Sequence, residues 1–291
     1  MPQNDTQRQL RQKIVETRDL PSMPNISQKL IAIRDKPDAD IKSLTDIIRM
    51  DPGLTGKLVR YATSPFFGFG KKIDSIESAV SNVLGFDKAL HMALAFDTGN
   101  AFDVPSQGPI GLKNTWRHAL YCAALTQQLT VKVAPASRPS AGLMYMAGLL
   151  HNVGFLLLGH LFREEFNLLN KSAHENSKLS LQTLEGRVLG LAHADIGVWL
   201  MREWSMPAEL IVATFEHHNA NYRGQHFVYP NLILIANRLL KRHGIGDEFE
   251  TFLPSAMLIK LGLDEKMAFA ALDNVLENKE SIEAMVQELH S

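Results

Sequence analysis

GLMYMAGLLHNVGFLLLGHLF, Gly142 to Phe162, is the stretch that most constrains how this chain folds. Its 21 residues are long and apolar enough to span a bilayer. Its centre carries His151 and Asn152, however, and polar side chains at mid-membrane are costly. No second apolar run of similar length accompanies it. The run is therefore expected to be a helix buried inside a soluble helical bundle.

Helical spacing continues on both sides. Ile26, Leu30 and Ile33 fall on one face, as do Leu44, Ile47 and Ile48, and then Leu54, Leu58, Val59 and Ala62. Asp51-Pro52 is a helix start, with Asp as N-cap and Pro at the first helical position. Ser64-Pro65 ends that helix. Asp74 with Glu77 resembles a capping box. Gly85 closes the following helix, and another begins near Asp87. No alternating strand pattern or fixed-length repeat occurs. The expected fold class is all-α, a multi-helix bundle.

The 291 residues allow one large domain or two small ones. Hydrophobic residues make up 45% and charged residues 21%, which excludes a largely disordered chain. Asn100 to Gly111 is rich in turn residues and divides the chain. The expected organisation is an N-terminal helical half at 12–105, a second half at 112–243, and an acidic helical extension at 246–291. A second break is read at Ala134 to Gly142. Phe66, Phe67 and Phe69 lie in a loop read as folded back on the core, with an exposed docking patch as the alternative.

A formal charge of −1 gives no field that would draw the protein to nucleic acid or an acidic membrane. Arg238, Lys241, Arg242 and His243 form a local basic cluster, read as a solvated helix end. The single cysteine, Cys122, sits in an apolar run and reads as a small core residue. One cysteine fits a reducing compartment, and the polar N-terminus carries no apolar segment of a secretory signal. A cytoplasmic location is expected.

The second half carries the chemistry. His118 shares a helical face with Tyr121, Cys122, Leu125 and Leu129. His151 lies in the apolar run beside Asn152. His193 shares a face with Leu189, Gly190, Ile196, Gly197 and Leu200. His217 and His218 follow the apolar segment Leu210 to Phe215; on a regular helix they diverge, so only a helix end lets them converge. A lone histidine on an apolar face is ordinarily a hydrogen-bonded core residue. Several together suggest inward-facing metal ligands of a helix bundle. Small residues at Ala147, Gly148, Gly154, Gly190 and Gly197 would let helix backbones approach. Spacing alone leaves both readings open.

LPSMPNISQKLIAI from Leu20, LTDIIRMDPGLTGKLVRYATSP from Leu44 and IDSIESAVSNVLGFDKALHMAL from Ile73 resemble the N-terminal half of HDOD domains, HD-related output domains of bacterial signalling proteins. WRHAL, AGLLHNVG, LAHADIGVWLMREWSMPAELIVATFEHH and LILIANRLL follow in that family's order. The resemblance covers roughly residues 20–240. It implies an all-α fold related to HD-type metal phosphohydrolases. By this resemblance His118 matches the first ligand histidine and His151 the histidine of the His-Asp pair. His193, His217 and His218 match further histidines of the multinuclear branch.

The departures from that pattern carry the functional expectation. Asn152 stands for the aspartate of the His-Asp pair, and Asn237 for the distal aspartate. Two-metal hydrolysis needs anionic ligands that bridge the ions and hold an activated water. Neutral amides are poor bridges, and no general base remains evident. The five histidines can still hold one transition metal, such as Fe, Mn, Zn or Ni. The expected function is a non-catalytic signalling or protein-interaction module. Its partners would be other signalling proteins, with homo-oligomerisation open. The alternatives are a metal-dependent phosphohydrolase acting on a nucleotide or cyclic dinucleotide, and a sensor that binds a ligand without turnover. The GYP signature of the cyclic di-GMP branch is absent after His218, where the chain reads NANYRGQHFVYP.

Overall fold

The computed structural model describes residues 20–34, 36–66 and 73–289, together with residues 8, 12, 13, 16 and 17. Among these residues it contains helices and no strand. The N-terminal helices are α1 (Asn25–Arg34), α2 (Ile41–Ile48), α3 (Pro52–Thr63), α4 (Ile76–Ala79) and α5 (Phe86–Gly99). Asp51 caps α3 as expected, its carboxylate accepting from Leu54 N at 3.0 Å with Pro52 at the first position. The box at α4 is built differently from the Asp74–Glu77 pairing. Ser75 is the N-cap, and its reciprocal partner is Ser78. The serine hydroxyl sits at the residue whose backbone is extended, where its oxygen can reach the N3 amide. Val80–Leu84 forms a π-turn ending at Gly85, whose φ of 75° favours glycine.

The second half begins after the irregular Asn100–Gly111 segment. It comprises α6 (Leu112–Thr130), α7 (Ala141–Leu150), α8 (Val153–Leu161), α9 (Arg163–Glu175), α10 (Leu181–Val188), α11 (His193–Glu203), α12 (Ala208–Glu216) and α13 (Val228–Lys241). The C-terminal segment adds α14 (Ser255–Leu261), α15 (Glu265–Glu277) and α16 (Lys279–Glu288). Both α15 and α16 pack on α6. Leu30, Leu58, Leu125, Leu157, Leu234 and Leu272 belong to one apolar core, so all three segments of the chain share it. Cys122 is fully buried there. Phe66 packs half-buried against this core, while Phe67 and Phe69 lie outside the described residues.

The apolar run is two helices, not one. α7 ends at His151 and α8 starts at Val153, with Asn152 between them. The break aims two adjacent polar side chains into the same interior. Ala141–Leu161 is the one stretch among the described residues long and apolar enough to cross a membrane, and 89% of its apolar window is buried in the bundle, which accounts for its composition. Glycines bring the helices together. A Cβ on Gly148 would lie 2.7 Å from the Ala123 backbone on α6, and one on Gly154 would lie 1.9 Å from the His193 carbonyl on α11.

Asp87 ties the two halves. Its carboxylate accepts from Ser140 Oγ and from Gly142 N, both at 2.9 Å, at the start of α7. The His91 ring, with Ser140 and Gly142 contributing less, outweighs the opposing effect of burial and holds the Asp87 carboxyl down at about 2 from its ordinary 3.8. A depressed carboxyl stabilises the fold above its ordinary value, and that contribution is lost as pH falls through about 2. Denaturant titrations from pH 5 to pH 2 are expected to show Asp87→Asn removing about 1 kcal/mol of this acid-limb dependence, a figure discounted for the group's exposure. An unaltered pH profile would assign the acid limb to other carboxylates.

Candidate metal centre

All seven residues predicted from the sequence meet in one buried cluster. His118 comes from α6, His151 from the end of α7, Asn152 from the α7–α8 junction, and Asn237 from α13. His193 opens α11 after a break at Gly190, whose φ is 74°, so it does not share a helical face with Leu189 and Gly190. His217 caps the C-terminus of α12, and His218 lies just past it. The helix end lets both rings turn inward. Ring centroids link His118 to His151, His151 to His217, and His217 to His193 and His218, at 4.1–5.2 Å.

The hydrogen bonds fix which ring nitrogen faces the interior. His151 Nδ1 donates to the Gly148 carbonyl and His217 Nδ1 to the Thr214 carbonyl, each at 2.8 Å. His193 Nδ1 lies 2.7 Å from Glu185 Oε1, and His218 Nδ1 lies 3.3 Å from Glu248 Oε2. These partners leave Nε2 of each ring as the inward atom, the usual outer support of ligating histidines. Nε2 of His193 and Nε2 of His217 are 3.2 Å apart. A proton shared between the two nitrogens satisfies that spacing, and so does a cation lying against both. Neighbouring ligands of one ion with metal–nitrogen bonds of about 2.0–2.1 Å take a comparable spacing.

The cluster is not free of carboxylates. Asp247, in the loop between α13 and α14, reaches its centre and is buried. Its Oδ1 lies 3.6 Å from His118 Nδ1, and its Oδ2 lies 3.4 Å from His218 Nε2 and 3.8 Å from His193 Nε2. Glu185 and Glu248 stand behind the histidines. The family pattern points to acid only at the two positions that are Asn152 and Asn237 here. Asp247 lies ten residues past Asn237, in a turn whose only local signal is an acidic pair after Gly244-Ile245-Gly246. At Gly246, φ is 93°, and a Cβ would lie 2.6 Å from His118 Nε2. Only glycine lets the loop pass over that ring.

The electrostatics follow from this packing. Burial, then the neighbouring His118, pushes the His151 ring down to about 3. Burial, then His218, holds His217 well below its ordinary value. Burial also presses on His218, but Asp247 and Glu248 together overcome it and hold that ring up at about 10. Burial likewise opposes the charge on Asp247, yet His218, His118 and His193 hold its carboxyl well below the usual range. Imidazoles around one ionised carboxylate, with the His218 proton given up to an incoming cation, are a donor set suited to a transition metal. Asp247 Oδ1 and Asn152 Oδ1 are buried without a hydrogen-bond partner, which fits the same purpose. A cavity of about 200 Å³ opens onto His118, Asn152 and Asp247.

The basic cluster on α13 is only partly a solvated helix end: Arg242 and His243 are exposed, but Arg238 is not. Arg238 is buried and donates to the Phe252 carbonyl at 2.9 Å, stacking on that ring. Arg242 donates twice to the Thr251 carbonyl, at 3.0 and 2.8 Å, and stacks on Phe269. Both hold the loop that carries Asp247.

An all-α bundle with histidines from four of its helices and their ends converging on one carboxylate defines an HD-related domain. The HDOD domain family matches residues 20–220. The chain belongs to the HDOD family. No curated protein matches it. Over 99% of its length it superposes on a proposed signal transduction protein from Marinobacter aquaeolei VT8, at 29% identity and a TM-score of 0.85. It spans 66% of that protein's chain. It also matches an HDOD domain protein of unknown function from Geobacter sulfurreducens, at 22% identity and a TM-score of 0.77, covering 97% of this chain and 98% of that one. A proposed metal-dependent phosphohydrolase from Shewanella amazonensis SB2B matches at 20% identity and a TM-score of 0.69, over 97% of this chain and 100% of that one. The last two likenesses concern the fold alone.

Proposed function

We propose that this HDOD domain is a signal-transduction and protein-interaction module that carries a metal centre without phosphohydrolase turnover. One observation carries the reading: both amides engage the histidines that would otherwise serve hydrolysis. Asn237 Oδ1 lies 2.9 Å from His118 Nε2, and Asn152 Nδ2 lies 3.2 Å from His118 Nδ1, so both nitrogens of that ring are engaged. Asn237 Nδ2 lies 3.5 Å from His151 Nε2. Two-metal hydrolysis uses carboxylates at such positions to clamp both ions around the reacting oxygens. An imidazole nitrogen that accepts a hydrogen bond from an amide cannot offer the same lone pair to a metal.

Metal content of the purified protein and its turnover of bis-p-nitrophenyl phosphate with Mn²⁺ or Fe²⁺ test this. The expected result is bound metal with no hydrolysis above background. Metal-dependent hydrolysis that His151→Ala abolishes would overturn it. It would favour the second reading, a metal-dependent phosphohydrolase. That reading draws its support from Asp247 and from the cavity that opens onto it.

A further inference from the structure

We propose that the centre holds a single first-row transition-metal ion on His193, His217, His218 and Asp247, and that this ion latches the 244–254 loop onto the bundle. The inference rests on the proposed function's premise that the centre binds metal, and it assigns the ion to one half of the cluster.

Four observations converge. The ligand atoms of these four residues all lie within 4.8 Å of one another. Each of the three imidazoles is backed at Nδ1: His193 by Glu185, His217 by the Thr214 carbonyl and His218 by Glu248. His118, His151 and Asp247 meet the same spacing, but there Asn152 and Asn237 hydrogen-bond both nitrogens of His118 and Nε2 of His151. The cavity, finally, reaches His118, Asn152 and Asp247 but is lined by none of the three histidines. The ion would lie behind Asp247, closed off from the cleft. Four protein ligands with no open position are the mark of a structural site rather than a catalytic one.

Charge is also accounted for. A divalent ion with one carboxylate and three neutral imidazoles keeps a net positive charge, which Glu185 and Glu248 offset from behind. Glu248 also shapes the loop, since its Oε1 accepts from Phe249 N at 3.0 Å and folds the segment back on itself. Arg238 and Arg242 hold the far end of the loop at Phe252 and Thr251. Asp247 thus reaches the histidines from beyond residues 20–220, the segment that defines the family. The loop also leads into α14, so the ion would join the C-terminal segment to the HDOD bundle.

The test strips the full chain with chelator and titrates it with Co²⁺, then with Zn²⁺. Wild type is expected to take one ion per chain, with the intense visible bands of four-coordinate Co²⁺. Asp247→Asn and His193→Ala should weaken binding by more than the roughly 10–100-fold that losing a supporting hydrogen bond costs. His118→Ala should retain the ion. Zn²⁺ should also protect the 244–254 loop of the wild-type chain from limited proteolysis, a readout that needs no variant to fold. Failure of wild type to bind either ion overturns both this inference and the proposed function beneath it. Metal binding that survives Asp247→Asn unchanged, or that falls as far in His118→Ala as in His193→Ala, overturns this inference alone. So does a loop cleaved equally fast with and without Zn²⁺.

Discussion

Replacing Gly154 with alanine is expected to destabilise the fold by about 2–3 kcal/mol and to cost the centre its metal. The added methyl would sit 1.9 Å from the His193 carbonyl oxygen, 2.7 Å from its carbon and 3.0 Å from Gly197 N. All three are backbone atoms, so no side chain can swing aside. α8 and α11 must separate, and His193 is the first residue of α11. Helix propensity pulls the other way, favouring alanine over glycine by about 1 kcal/mol. The sign of the change therefore separates the two effects. Chemical denaturation of the metal-free protein measures the packing cost, and Co²⁺ titration measures the displacement of His193. A stabilised variant with intact binding would mean that these helices have room to spare.

The double substitution Asn152→Asp with Asn237→Asp is expected to do two opposite things. Without metal, it places two more carboxylates in a buried cluster that already holds Asp247, with only His218 strongly disposed to carry positive charge. Uncompensated buried charge of this kind costs more than about 3 kcal/mol. With metal, the same change frees His118 and His151 from their amide partners and supplies anionic ligands. A second ion should then bind on that side, and added Mn²⁺ or Zn²⁺ should recover the lost stability through linkage. Metal stoichiometry and thermal melts, each with and without metal, check both halves of the expectation. A variant with unchanged metal affinity would show that the amides are not what blocks the His118–His151 side.

The Marinobacter likeness covers nearly the whole of this chain, so the bundle is held in common well beyond the matched HDOD segment. What differs in kind along the chain is the source of the centre's parts. The histidines come from helices and helix ends within residues 112–220, where packing fixes their rotamers. The carboxylate comes from a loop after α13, held by two arginines and a glycine turn. An anionic side chain on a loop can be moved by whatever contacts the helices that follow it.

The helical class, the caps at Asp51 and Gly85, the irregular segment at Asn100–Gly111 and the five histidines were all legible in the linear chain. Each of these is written in short-range spacing, because helix periodicity and capping involve residues only a few positions apart. The amides at Asn152 and Asn237 were equally legible, as plain residue identities in the chain. The remaining features arise only from the packed fold. Packing split the apolar run at His151–Asn152, where helix ends turn both side chains inward, and it set His217 and His218 together at the end of α12. It made loop anchors of Arg238 and Arg242. Above all it supplied Asp247. A carboxylate 129 residues from His118 in sequence meets that ring only because Gly246 carries the loop across it. No local pattern encodes such a meeting, since the contact exists only once α6, α11, α12 and α13 have packed.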